Sequence, residues 1–182
     1  MARVTLHDLD SVPAHSADAL EKHTDRMGGE TLNIFAAMAN SPTVLNLYTA
    51  MEDLLAERST LDGSTREALH LTVANANDCG YCQAAYTMTA KREGFSDDQA
   101  LQIRRGEVDG DAKLSALLRI AREAATTQGE VSDQAWDAAI DAGWDEAAIL
   151  DAYSEVIRTT LTNWFNHLVH TDQDLPEAPS LD

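Results

Sequence analysis

Helix starts and stops follow one another along this chain from residue 42 to about residue 170, and no run alternates apolar and polar residues long enough to make a strand. That pattern excludes a sheet-based fold, because a half-buried strand needs period-2 alternation while a helix needs an apolar stripe at period 3.6. Pro42 suits the first turn of a helix, with Leu45, Leu47, Tyr48, Met51, Leu54 and Leu55 as its apolar stripe. Leu61-Asp62-Gly63 interrupts it. Ser64-Thr65-Arg66-Glu67 then has the S-x-x-E form of a capping box, so a second helix is expected from there towards Asn75. Asn77 or Asp78 can cap a third, ending at Gly94, and Ser96 to Gln99 forms another capping box for a short helix to about Arg105. Further helices are expected over about Asp111–Thr126, from the Ser132 cap to near Gly143, and from Asp145 to about His170. The expected fold is all-α, a single helical domain over residues 31–172. A weakly periodic segment, residues 1–30, is expected to wrap a neighbouring surface, and residues 173–182, with Pro176 and Pro179, form an irregular tail.

A chain of 182 residues is long enough to bury a substantial core, and 44% hydrophobic content is that of a folded protein. Its 31 acidic against 13 basic residues give a formal charge of −18, a field that repels phosphate backbones and anionic lipid heads. Nucleic acid and membrane surfaces are therefore not expected partners. No apolar run approaches the roughly 20 residues of a membrane span, and Met1 to Leu20 lacks the basic-then-apolar order of a secretory signal. A cytoplasmic location is expected. No Gly-rich phosphate loop, Ser-His-Asp set or dinucleotide fingerprint occurs, so no cofactor is expected.

Chemistry concentrates in Asp78-Cys79-Gly80-Tyr81-Cys82, which holds both cysteines. In a reducing compartment a C-x-x-C pair reads as redox-active or metal-binding rather than as a structural staple. With a cap at Asp78, Cys79 is the first helical residue and Cys82 the fourth, both on one side of the first turn. The helix dipole there favours thiolate over thiol, and the Asp78 carboxylate opposes it. Gly80 leaves room for a reactant between the sulfurs. Tyr86, four residues after Cys82, returns to the same face with its hydroxyl in reach of that sulfur.

Glu67, then eleven residues, then Cys79-Gly80-Tyr81-Cys82, then Ala84-Ala85-Tyr86 resembles the signature of the AhpD-like alkylhydroperoxidase branch of the carboxymuconolactone decarboxylase family. Asn40-Ser41-Pro42, Arg66, Asn77, Ala90, Gly94-Phe95-Ser96 and Asn166-His167 agree with it, and the similarity runs from about Thr31 to about Pro176. The resemblance implies an all-helical subunit forming a homo-oligomer (dimer, trimer or hexamer) and peroxidase-like thiol chemistry without haem or metal. Its implied partners are a hydroperoxide or disulfide substrate and an external thiol reductant. On this resemblance Cys82 is the peroxide-attacking thiolate, Cys79 its resolving partner and Glu67 the relay carboxylate. One position departs from the pattern: Tyr86 stands where the family has His. A neutral imidazole accepts a thiol proton near pH 7, whereas a phenol with pKa about 10 only donates a hydrogen bond there. Tyr81 lies between the cysteines, where some members carry a second His and many carry Tyr.

The same residues admit plainer readings. Glu67 fits the third position of the capping box, and twelve residues of straight helix would hold it roughly 18 Å from Cys79, so a relay demands a sharp bend or a neighbouring subunit. Tyr86 fits a core aromatic with a satisfied hydroxyl. His167 and His170, at i and i+3, can complete a Cys2His2 zinc site with Cys79 and Cys82. His70, on the helix of Glu67, is a substitute base if it faces the cysteines. Trp136, Trp144 and Trp164 are expected to anchor helix packing or subunit contacts. Two other functions remain open at this point: a carboxymuconolactone decarboxylase-like lyase on a small carboxylic substrate, and a non-catalytic helical oligomer whose cysteines pack or bind zinc.

Overall fold

Among the described residues, 1–181 of a computed structural model, one 3-10 turn and nine α-helices make up the regular structure. The helices are α1 (Ala17–Arg26), α2 (Asn33–Met38), α3 (Pro42–Arg58), α4 (Gly63–Ala76), α5 (Gly80–Arg92), α6 (Asp97–Arg105), α7 (Ala112–Thr126), α8 (Asp133–Asp141) and α9 (Glu146–Val169). From α3 onward every helix starts on a side-chain cap: Ser41, Asp62, Cys79, Ser96, Asp111, Ser132 and Asp145 each accept a backbone N–H three residues ahead. Such caps are worth about 1 kcal/mol each, and they explain why the chain breaks where it does. The box at Ser96 and Gln99 closes in both directions.

The first box does not form. Asp62, not Ser64, caps α4 by accepting from Thr65 N at 2.7 Å, so Glu67 lies a full turn inside the helix and takes no part in capping. A carboxylate accepts N–H bonds more strongly than a hydroxyl, and Asp62 sits two residues earlier. The next start is also shifted by one residue. Asp78 adopts a left-handed conformation at φ 53° and Cys79 itself is the N-cap of α5, its Sγ accepting from Cys82 N at 3.4 Å.

Helix α4 is the axis of the fold, with α5, α6, α7 and α9 packed around it. Its run from Ala68 to Ala74 is buried on every side, as a helix sheathed by neighbours requires. On the far side of α9 lies α3, which carries α1 and α2. Leu45 and Tyr48 of α3 face inward, but Leu47 and Leu54 of the expected stripe point to solvent. Residues 1–30 cover the chain's own surface. Arg3 N donates to Val169 O at 2.7 Å, and α1 inserts Leu20 and His23 against α3. The irregular tail runs back across the molecule, with Asn33 N donating to Asp174, Arg104 to Pro179 O and Arg105 to Leu181 O. Trp144 is tied to Lys113 O and Trp136 packs on the core, whereas Trp164 is 62% exposed. No helix of the described residues is long and apolar enough to cross a membrane.

Candidate active site

The chain reverses at Asn77–Cys79, so α4 and α5 lie side by side and the straight-helix separation of Glu67 from the cysteines never arises. Thr89, near the end of α5, donates its hydroxyl to Glu67. Glu67, Tyr81, Cys82 and Tyr86 then line one cavity of about 340 Å³, walled further by Phe35, Tyr48, Met88, Arg158 and Leu175. Cys79 is not in its wall. Of the catalytic residues expected from sequence, Glu67, Tyr81, Cys82 and Tyr86 line this cavity and Cys79 stands directly behind Cys82.

Both cysteines are free and buried, with their sulfurs 2.8 Å apart. Asn166 Nδ2 donates to Cys82 Sγ at 3.1 Å and lies 3.8 Å from Cys79 Sγ. The two thiols share their protons unequally. The hydrogen bond between the two sulfurs, against burial, holds the Cys79 pKa below its ordinary value, helped by the Cys82 backbone N–H and the Asn166 amide. Burial and the neighbouring sulfur push Cys82 well above its own. A pair of this kind gives up one proton readily and keeps the second.

Beyond Cys82 the cavity floor is a charged network. Burial would raise the pKa of Glu67, but His70, the Thr89 hydroxyl and Arg158 bring it down to about 2. His70 sits between two carboxylates, with Nε2 2.7 Å from Glu155 and Nδ1 3.4 Å from Glu67, and its ring lies 5.0 Å from that of Tyr86. Arg66 pairs with Glu155. Arg158, 6% exposed, donates to Tyr48 Oη at 2.8 Å, to Glu52 Oε1 at 2.6 Å and to Tyr86 Oη at 3.3 Å. Tyr86 is a buried core aromatic with a satisfied hydroxyl, which accepts from a guanidinium in the cavity wall. Burial drives its pKa up, against the pull of Arg158. Burial also raises that of Tyr81, whose hydroxyl faces Asp174 without closing a hydrogen bond.

His70 does not reach the sulfurs directly; the Tyr86 ring stands beside it on the cavity side. His167 is engaged with Asp78 O at 3.2 Å, and His170 is the left-handed C-cap of α9. Among the described residues no group of three or more His, Cys, Asp or Glu could hold a metal ion. Sequence reasoning missed Arg158 and Glu155 as parts of the site, gave Asn163 no role and took Asn166 only as agreeing with the family pattern. The available signal was their register: Glu155, Arg158, Thr159, Thr162, Asn163 and Asn166 fall on the buried face of α9, where charged and amide groups demand partners.

Residues 42–110 match the carboxymuconolactone decarboxylase family. No curated protein matches the chain in sequence. Solved structures do match it in fold. An uncharacterized peroxidase-related protein from Ralstonia eutropha JMP134, described as an alkylhydroperoxidase AhpD core, superposes with a TM-score of 0.83 at 19% identity, covering 95% of this chain and 92% of that one. A peroxidase-related protein from Silicibacter sp. TM1040 gives 0.77 at 19% identity over 98% and 96%. The debrominase Bmp8, solved as a cysteine-to-alanine variant with 2,3,4-tribromopyrrole, gives 0.78 at 12% identity over 94% and 91%. The all-α fold is thus the AhpD-like one.

Proposed function

We propose, from the match of residues 42–110 to the carboxymuconolactone decarboxylase family, that the chain is a thiol-dependent reductase acting on small organic hydroperoxides. One observation carries the reading: Cys82 opens onto the 340 Å³ cavity while Cys79 waits 2.8 Å behind it, outside the cavity wall. Cys82 thiolate attacks the terminal peroxide oxygen, giving a sulfenic acid and an alcohol. Cys79 then displaces water to close the disulfide, and two equivalents of an external thiol restore the pair. Proton sharing between the sulfurs delivers the anion to Cys82 when Cys79 holds the proton. Tyr86, fixed by Arg158, donates towards the departing alkoxide, and Glu67 keeps Thr89 and His70 in place behind it. The test is peroxide consumption with dithiothreitol as donor. Cys82→Ser is expected to abolish it, and Cys79→Ser to stop after one equivalent with a sulfenic acid trapped on Cys82; full turnover by either variant removes the mechanism.

A second reading takes the same two electrons to a carbon–halogen bond. It is favoured by the likeness to a debrominase that holds a bromopyrrole, together with the ring-lined cavity here, formed by Phe35, Tyr48, Tyr81 and Tyr86. Bromide release from a bromopyrrole, with disulfide formed in equal amount, is its readout. In either case we propose a homo-oligomer. Leu150, Tyr153, Ile157, Trp164 and Leu168 form an exposed stripe along α9, and Leu47 and Leu54 of α3 are exposed as well. A stripe on one long helix can be self-complementary about a twofold axis.

A further inference from the structure

Two carboxamides of α9 face the sulfur pair. Asn166 is 5% exposed and its Oδ1 accepts from Thr171 Oγ1 at 2.6 Å, which turns its NH2 end to the sulfurs. Asn163, three residues earlier, is fully buried, and its Oδ1 accepts from Asn77 Nδ2 at 2.9 Å. Its Nδ2 has no hydrogen-bond partner, and the amide bears on Cys82. A buried amide N–H left unpaired is costly unless a neighbour becomes an acceptor. The neighbour able to do so is the sulfur pair, once it carries a negative charge.

We propose that Asn163 and Asn166 are a paired amide donor set that stabilises the C-x-x-C thiolate, taking over from α9 the charge stabilisation for which position 86 offers no imidazole. Asn166 touches both sulfurs and is a catalytic residue; Asn163, oriented through Asn77, completes the set from Cys82's side. Because Asn166 spans the pair, it follows the charge whichever sulfur an external thiol releases when it opens the disulfide. Its use in turnover rests on the reductase reading, but the thiol equilibrium itself does not. The other groups facing the sulfurs are Asp78 in the preceding turn, Tyr81 and Tyr86 on α5, Glu67 on α4, Arg158 and His167 on α9, and Asp174 in the tail. None of them is hydrogen-bonded to either sulfur, so none substitutes for the amides.

The experiment is the ultraviolet thiolate absorbance of the fully reduced protein as a function of pH, with no substrate present. Asn166→Ala and Asn163→Ala are each expected to raise the first thiol titration by about one unit, a tenfold loss of thiolate below it, as hydrogen bonds to a charged acceptor set that scale. Asn166→Asp, equal in shape, should move it further by exchanging a donor for a charge. Thr171→Val touches no sulfur but frees the Asn166 amide, and a smaller upward shift is expected; it carries the test if the buried variants do not fold. Titrations coincident with wild type in folded variants overturn the proposal. A wild-type protein that titrates low yet consumes no peroxide refutes the reductase reading and leaves the amide set standing.

Discussion

Replacing Arg158 by Met tests the charged floor of the cavity at its most committed point. The guanidinium is buried and serves Glu52, Tyr48 and Tyr86 at once. Met keeps most of the volume, so the loss is electrostatic rather than a cavity. Removing one partner of a buried ion pair costs about 3–5 kcal/mol, because the other charge is stranded. Glu52 is 21% exposed and also receives Arg26 and the Tyr48 hydroxyl, which places the expectation at the lower end, about 3 kcal/mol. For a chain of this size that corresponds to a fall in Tm of roughly 6–12 °C. The sign with pH is fixed. Burial opposes ionisation of Glu52, but Arg158 leads the interactions that hold its pKa below the usual carboxylate value. The pair therefore stabilises the wild type fully above the unfolded carboxylate pKa and loses that contribution as pH falls through the folded one. In Arg158→Met burial is no longer offset, so Glu52 protonates more easily and the stability gap between the two proteins narrows towards acid. Urea unfolding at neutral and mildly acidic pH, with Glu52→Gln and the double variant, closes the cycle. The double variant is expected to lose less than the sum of the singles. A single-variant cost below about 1 kcal/mol, or a gap that widens in acid, refutes the reasoning.

Tyr86→His places an imidazole beside Arg158 and Cys82, and peroxide consumption at neutral pH is expected to rise at least severalfold, with a new inflection in the rate–pH profile; an unchanged profile means that proton acceptance at this position does not limit the reaction. Tyr86→Phe should slow turnover without altering the thiol titration, since the phenol donates to the leaving group and not to sulfur. Trp164→Glu with Leu168→Glu is expected to convert the oligomer to monomer in light scattering while leaving the helical circular dichroism intact, and an unchanged mass excludes the α9 face as the interface.

The helical order of the chain was legible because each start is written locally. Serine or aspartate precedes the apolar register at Ser41, Asp111, Ser132 and Asp145, and those caps act within three residues. Where two capping residues compete, the outcome depends on geometry, and Asp62 displaces Ser64. That displacement frees Glu67 from a structural duty and leaves it inside α4, facing the cavity. The cysteine pair was equally legible, but not its use as a cap, which depends on Asp78 taking a left-handed conformation. What the sequence could not disclose is the far side of the site. Arg158 and Glu155 lie about ninety residues from His70 and Arg66, and only the packing of α9 on α4 brings them together. The exposure of Leu47 and Leu54 was hidden for a related reason: periodicity marks an apolar face but not what covers it.

A donor set around the sulfurs has a consequence for the redox poise of the pair. In the reduced protein the Asn166 amide and the Cys82 backbone N–H are placed to donate to a thiolate, and a neutral disulfide sulfur accepts both more weakly. Stabilising the reduced form makes the disulfide more oxidising. If the first thiol titrates about one unit below ambient pH, the reduced state gains about 1.4 kcal/mol, and for a two-electron couple that raises the potential by about 30 mV. That shift moves the disulfide towards reduction by ordinary cellular thiols, the direction that turnover by an external thiol requires. Asn166→Ala is expected to lower the potential by about the same 30 mV in glutathione buffers near neutral pH. Because the thiolate pKa is depressed, the effect is present above that pKa and fades as pH falls through it, so the two proteins should converge in acid. A variant potential equal to or higher than wild type at neutral pH would show that the amides hold the sulfurs in place without favouring their charge.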